Sequence, residues 1–547
     1  MALNDDLLSR RTFLKAAVGT AAAFPLVFSR STRAERSRSV PDRPNILFII
    51  VDQQRAPRWF PGQDVLDAHL PALAKIRQGA VNFTGHYAAA TKCSPSRSAL
   101  LTGLYPHQSG YVENQRKEMP PLNVGFPTWG SGLRDAGYNT NWYGKWHLSN
   151  ADTLEPYGFD GGTYPSPNGG IQQGTIGDGK IVDQFIDWFD TSAEKGPWAT
   201  GVSLLNPHDV SSHPHATHEF FQEHPYPNLV TSLPGNYETP EQVLRSKPRL
   251  QAAYQGAADA TLGAPTTEKA RQAAWIDVLN AYIAYQTIVD VQIGRVLNKL
   301  ESRPEIRDNT VIVFTSDHGE IGGSHGLRGK GGSLYEEGIH VPFFVKDPTS
   351  RLTAHTETPR TQLTSFVDIY GLLLTIGTGS NAWRSKPEYA HLASRLDLAA
   401  ILKRPDAPGR NYILHTSDQP YLEAADVLAK APIPVPYHLI GYRSREGKLG
   451  IYSEWETNSY EAKSDNQDVE LYDYSTPEGQ LEIGNDATAK PKLLEKLKTE
   501  LYADAIPNEL HKPLPPKLRA VQEQAFQDYY AFRLVAPKSL KPDSVDL

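Results

Sequence analysis

"NILFIIV", residues 45–51, is an isoleucine-rich apolar run behind one asparagine, and it stops at Asp52-Gln53. A strand with one wet face would alternate apolar and polar residues; a continuous run suits a strand covered on both faces, as in the middle of a parallel sheet. Runs of the same kind recur at residues 80–83, 138–143, 199–205, 310–315 and 341–345. Helical patterns fall between them at 72–78, 95–102, 128–136, 181–189 and about 268–300. Strands alternating with helices predict an α/β fold, a mixed but largely parallel sheet flanked by helices.

In such sheets ligands sit beyond the carboxyl ends of the strands. Asp52 follows the first run, Lys145 and His147 follow "NTNWYG", His208 follows "GVSLLNP", and Asp317-His318 follow "TVIVFTS". Charged or imidazole groups at so many strand ends read as one convergent site.

The chain has 547 residues, 39% of them hydrophobic, and a net charge of -7, so no global basic field points to nucleic acid or an anionic membrane. Residues 1–42 read as an export leader: Ser9-Arg10-Arg11-Thr12-Phe13-Leu14-Lys15 precedes an apolar run, Ala16 to Phe28, that is too short to span a bilayer. The paired arginines give it a twin-arginine address, so the Tat translocase is an expected partner and the periplasm or exterior the expected location, without stable membrane insertion. The catalytic region is expected over 43–379 and a smaller α+β domain over 380–504, with short strands at 437–443, 448–452 and 469–474 and a helix at 490–502. A Pro-rich arm with a helix near 523–532 fills 505–547 and either straps its own subunit or wraps a second copy, which leaves room for a homo-oligomer.

Asp52, Asp317, His318 and the amide oxygen of Gln53 offer donors for one divalent cation. Arg97, Lys145, Lys330, His147 and His208 offer positive charge or protons, and the whole suits a tetrahedral oxyanion ester. The single cysteine, Cys93, stands in "TKCSPSRSALLTG", residues 91–103. It cannot form an intramolecular disulfide, which leaves an inert thiol, a reactive one favoured as thiolate by a helix N-terminus, or a residue converted into something else.

Cys93-Ser94-Pro95-Ser96-Arg97, with Leu101-Thr102-Gly103 after three more residues, resembles the type I sulfatase signature C-x-P-S-R-x-x-x-L-T-G, and "YGKWHL", residues 143–148, resembles the second signature of that family. The order of Asp52, Cys93, Lys145, His147, His208, Asp317-His318 and Lys330 matches as well. The resemblance covers about residues 43–379 and implies an alkaline-phosphatase-like fold and hydrolysis of a small sulfate ester. It also implies that a separate maturation enzyme oxidises Cys93 to formylglycine. The hydrated aldehyde would attack sulfur with one oxygen and expel sulfate with the other. Asp52, Gln53, Asp317 and His318 would bind the metal, Arg97 would orient the formylglycine, and Lys145 and Lys330 would hold sulfate oxygens. His147 would take the proton that breaks the hemiacetal sulfate, and His208 would protonate the leaving group.

Calcium is the metal the resemblance implies first. The pairs Asp52-Gln53 and Asp317-His318 depart from the commoner Asp-Asp and Asp-Asn, which brings in manganese or magnesium, and they resemble choline sulfatases and phosphonate monoester hydrolases. A choline or carbohydrate sulfatase and a phosphonate monoester or phosphodiester hydrolase are therefore the alternative activities, with an exported oxyanion-binding pseudoenzyme as the alternative of another class. The imidazoles of His208, His213, His215, His218 and His224 lack the spacing of a structural zinc motif and read as a pocket-rim loop. Trp142 and Trp146 read as core packing, and Tyr335-Glu336 as an anchor for the loop carrying Lys330.

Overall fold

In the computed structural model the described residues are 43–58, 61–115, 119–162, 173–214, 221, 226, 228–263, 265–418, 435–456 and 462–535. The expected export leader with Arg10-Arg11, together with His215, His218 and His224, lies outside them.

The strands in chain order are β1 (Asn45–Asp52), β2 (Val81–Phe83), β3 (His86–Tyr87), β4 (Asn139–Gly144), β5 (Asp160–Gly162), β6 (Trp198–Pro207), β7 (Thr310–Ser316), β8 (Phe343–Lys346), β9 (Thr364–Ser365), β10 (Tyr412–Asp418), β11 (His438–Ser444), β12 (Gly447–Ser453) and β13 (Asp468–Asp473). Seven of them form the main sheet in the order β2-β8-β7-β1-β6-β4-β5. The pairs around β1, β6, β4, β5 and β7 are parallel, whereas β8 runs antiparallel to both β7 and β2. β1 lies at the centre with all eight residues buried. Ile46, Phe48 and Ile50 enter one core and Leu47, Ile49 and Val51 the other, as the two-residue period of a strand requires.

The second of these cores is covered by the helices Gln173–Ser192 and Glu268–Glu301. Asp290 on the long helix accepts from the N–H groups of Ala72 and Leu73 at 2.9 and 2.8 Å, so it satisfies the open first turn of the helix Pro71–Arg77. The helix Gln173–Ser192 begins well before the expected Ile181. Its first turns are glycine-rich, but Asp209 accepts from Gly174 N and Thr175 N at 3.2 and 2.7 Å and anchors them.

β10 to β13 form an antiparallel four-stranded sheet in chain order. Leu414, Ile440, Leu449, Ile451 and Leu471 belong to the same core as Ile46 and Phe48, so the small sheet shares the interior of the main sheet. The expected helix at 490–502 ends at Glu500 and continues as a π-helical segment, Leu501–Leu510, around Pro507. The last helix, Pro516–Val535, lies on its own chain. Gln522 donates to the Gln108 carbonyl at 2.8 Å, and Phe526 packs so close to Gly110 that a Cβ there would meet it at 2.5 Å. Among the described residues no helix is long and apolar enough to cross a membrane.

Candidate active site

The helix Cys93–Thr102 carries the cysteine at its first position, and all ten residues are buried. Its limits are legible in the motif. Pro95 sits in the first turn, where its missing N–H costs nothing, and Gly103 ends the helix at φ 69°, a left-handed cap that glycine adopts without strain. The Cys93 sulfur therefore stands at the positive end of a short dipole. It lies 3.1 Å from His318 Nε2, 3.8 Å from Lys145 Nζ and 3.9 Å from Asp52 Oδ1.

The strand ends deliver the partners. Asp52 closes β1, Asp317 and His318 follow β7, and Lys145 follows β4 through Gly144. Gly144 has φ 98°, and a Cβ there would lie 2.0 Å from the Ser203 carbonyl, so only glycine lets the chain turn Lys145 inward. Lys145 Nζ then reaches Asp52 Oδ2 at 2.7 Å. Arg97 spends its fork on Asp317 Oδ2 (2.8 Å), Asp52 Oδ2 (3.2 Å), the Lys145 carbonyl and Ser203 Oγ (both 2.9 Å). It thus grips the two carboxylates rather than Cys93 directly.

His318 donates from Nδ1 to the Gly319 carbonyl at 3.0 Å, since a carbonyl can only accept. Nε2 faces Asp317 Oδ1 (3.6 Å) and Asp52 Oδ1 (3.7 Å); burial disfavours its charge, but Asp317 and the Cys93 sulfur raise its hold on a proton, one that a cation binding there would displace. Burial would raise Asp52, but Lys145, His208, Lys330 and Arg97 together hold it well below the usual carboxylate range. Asp317 is pushed up by burial and by the charge of Asp52. Two buried carboxylates, the His318 imidazole and the Cys93 sulfur, with donor atoms within 4.8 Å of one another, fit one divalent cation. The Cys93 thiol is lowered despite burial and Asp52, because Lys145, Lys330 and His318 surround it.

Gln53 has φ 71°, an uncommon value for a side-chain-bearing residue. It is held there by donation of its N–H to Asp317 Oδ1 (3.1 Å) and by the Tyr282 hydroxyl on its carbonyl (2.6 Å). Its amide orientation is doubly determined. Nε2 donates to the carboxylate of Glu320 and to Ser211 Oγ (3.2 Å), and Oε1 accepts from Lys330 Nζ at 2.8 Å. Glu320 also accepts from Gly322 N and Gly329 N at 2.9 and 2.8 Å, which ties it to the loop carrying Lys330.

His147 and His208 are each 1% exposed and sit at the ends of the segments that follow β4 and β6. The His147 carbonyl accepts from Ser94 Oγ at 2.6 Å, and Ser94 Oγ in turn accepts from Gln115 N at 2.9 Å. The structure thus gathers Asp52, Gln53, Cys93, Arg97, Lys145, Asp317, His318 and Lys330 through direct contacts, with His147 joined through Ser94.

Sequence reasoning missed Glu320 and Asn114. Asn114 Oδ1 accepts from Ser94 N at 3.1 Å, and its buried Nδ2 has no protein partner among the described residues. Glu320, three residues after Asp317, was the one signal available in sequence; nothing local marks Asn114. Trp142 and Trp146 are buried in an edge-to-face pair at 5.7 Å, as core packing requires. Tyr335 stacks on His325 at 3.6 Å and Glu336 pairs with Lys448 at 2.9 Å, which anchors the Lys330 loop. His340, for which the sequence offered no reason, stacks on Tyr87 at 5.0 Å.

The sulfatase family profile matches residues 44–376, more than half of the chain. The chain belongs to the sulfatase family. It is 29% identical over 339 residues to the uncharacterized sulfatase YidJ of Escherichia coli K12, covering 56% of this chain and 63% of that protein. It is 25% identical over 420 residues to the choline-sulfatase of Rhizobium meliloti, covering 66% and 76%. The fold is also that of a phosphonate monoester hydrolase from Silicibacter pomeroyi, with a TM-score of 0.63 and 21% identity over 86% of this chain and 96% of that one. The matched part of this sulfatase spans less than two thirds of the E. coli relative.

Proposed function

We propose that this sulfatase hydrolyses sulfate monoesters to an alcohol and inorganic sulfate, at a centre where Cys93 is converted to formylglycine and Asp52, Gln53, Asp317 and His318 hold one divalent cation. The observation that carries the reading is the Cys93 sulfur at the first position of a buried helix, facing His318, Lys145 and Asp52 within 3.1–3.9 Å. The ion, when bound, polarises a sulfuryl oxygen and favours a deprotonated oxygen nucleophile. One imidazole among oxygen donors inclines the site toward manganese or another transition ion.

The chain's own groups do the rest. Lys145 and Lys330 neutralise sulfate oxygens as charge develops, and Asn114 Nδ2 adds a neutral donor. Arg97 holds the two carboxylates at a fixed separation. His208 delivers a proton to the leaving alcohol, and His147, set by Ser94, removes one from the hydroxyl of the hemiacetal. Conversion of Cys93 before export through the twin-arginine route gives the periplasm a finished enzyme.

A second reading, hydrolysis of phosphonate monoesters, is favoured by the Gln53 and His318 donors, and the Silicibacter pomeroyi neighbour is named for that activity. Choline, aryl and carbohydrate sulfates are the candidate substrates of the first reading. The test is Cys93→Ser: turnover of 4-nitrophenyl sulfate collapses while one equivalent of 4-nitrophenol is released as the serine is sulfated. Undiminished multiple turnover would overturn the formylglycine step.

A further inference from the structure

Away from the catalytic centre, three metal-ligating side chains meet where the main body joins the small sheet. His107 lies in the helix Pro106–Ser109 just after the nucleophile helix, Asp418 ends β10 and His438 begins β11. They are 8%, 1% and 0% exposed. The geometry points to a second metal site of the zinc type, with His107 Nε2, His438 Nδ1 and Asp418 Oδ1 as ligands.

Four observations support this. The three donor atoms lie within 4.8 Å of one another. His107 Nε2 and His438 Nδ1 are 3.4 Å apart, which is the edge of a tetrahedron drawn with metal–nitrogen bonds of about 2.0–2.1 Å. Two neutral imidazoles gain little from that approach, because the His438 Nδ1 proton is directed to Asp418 Oδ1 at 2.8 Å and a second acceptor gets no share of it. An ion taking Nδ1 sends that proton to Nε2 of the same ring and lets both nitrogens point at one centre. Secondly, Asp418 Oδ2 accepts from Trp455 Nε1 at 2.5 Å, the outer hydrogen bond that fixes a ligating carboxylate.

Thirdly, all three side chains are buried, so their donor atoms cannot turn out to water. Fourthly, the site is rigid. His438 lies against the Trp455 ring at 3.5 Å and His107 packs on the same ring at 4.8 Å. The Asp418 N–H donates to the Val112 carbonyl at 3.2 Å and Thr416 N–H to the Ala89 carbonyl at 3.0 Å, which ties β10 to the chain on either side of Cys93. An ion there would clip β10 and β11 to the nucleophile-bearing body.

The experiment uses the full chain, dialysed, loaded with Mn2+ and titrated with Zn2+ alone. Bound zinc per chain is expected to exceed that of the His107→Asn/His438→Asn double variant by one, with thermal stabilisation by Zn2+ in the wild type that the variant lacks. Trp455→Phe keeps the three ligands and is expected to weaken Zn2+ about 10-fold or more. Because the double variant can lose its fold, zinc-edge X-ray absorption of the wild type is the independent readout: two imidazoles per zinc are expected. Equal zinc in all three proteins, or a single imidazole per zinc, overturns the proposal.

Discussion

Glu320→Gln is predicted to disable Lys330 by way of Gln53. Glu320 uses both oxygens as acceptors, one toward Gly322 N and Gly329 N at 2.9 and 2.8 Å, the other toward Gln53 Nε2. A glutamine side chain at position 320 has one acceptor oxygen and one amide donor group. If its oxygen keeps the two glycines, its NH2 faces the NH2 of Gln53. The cheapest relief is to flip the Gln53 amide, and that turns Nε2 onto Lys330 Nζ, which Oε1 now meets at 2.8 Å. One charge-assisted bond is lost and a donor faces a donor, about 3 kcal/mol in all at roughly 1.5–3 kcal/mol for each bond to a charged group. That corresponds to a fall of about 100-fold in kcat/KM on 4-nitrophenyl sulfate. Combining Glu320→Gln with Gln53→Glu restores the polarity, since the carboxylate then sits at position 53 and accepts from both the new amide at position 320 and Lys330. The swap is predicted to recover at least 10-fold of the roughly 100-fold loss. Wild-type kcat/KM in Glu320→Gln, or a swap no better than the single variant, would refute the chain of hydrogen bonds.

Three other outcomes follow from the same structure. Gly144→Ala places a methyl 2.0 Å from the Ser203 carbonyl at φ 98°; a loss of several kcal/mol is expected, about 3 or more, read as a lower thermal midpoint. Lys145→Met strips the 2.7 Å partner from a buried carboxylate, with an expected cost of about 3–5 kcal/mol in the metal-free protein and a smaller one once a divalent ion is added, measured by denaturant unfolding with and without chelator. Burial lowers His86, His391 and His415 to about 3, 4 and 3, below their unfolded value of about 6.5. The unfolded chain therefore binds more protons between those limits. Stability is full above about pH 6.5 and falls on acidification, approaching about 4 kcal/mol per pH unit for the three together between pH 6 and 5. A flat thermal midpoint over that interval would contradict it.

The sheet was legible because its strands are buried on both faces. Six apolar runs announced six of its seven strands, and the polar residue after a run marked the site. β10 was not, because "HTSD", residues 415–418, reads as a loop although all four residues are buried in the sheet. Tertiary pairing overrode the local signal there, as Asp209 did at the glycine-rich start of the helix Gln173–Ser192. The side chains that converge at the centre were readable from chemistry and order. What sequence could not supply was the hydrogen-bond direction at Gln53, the grip of Arg97 on both carboxylates, and Asn114, whose role rests on a contact with Ser94 twenty residues away. Contacts between polar side chains leave no periodicity to read.

The measurement closest to the central claim is kcat/KM of the matured, metal-loaded enzyme on 4-nitrophenyl sulfate and on the 4-nitrophenyl ester of phenylphosphonate, side by side. The account predicts a preference for the sulfate ester of at least 10-fold, about 1.4 kcal/mol in the barrier. A larger kcat/KM on the phosphonate would contradict it and make Gln53 and His318 the marks of a phosphorus-ester hydrolase built on a sulfatase frame.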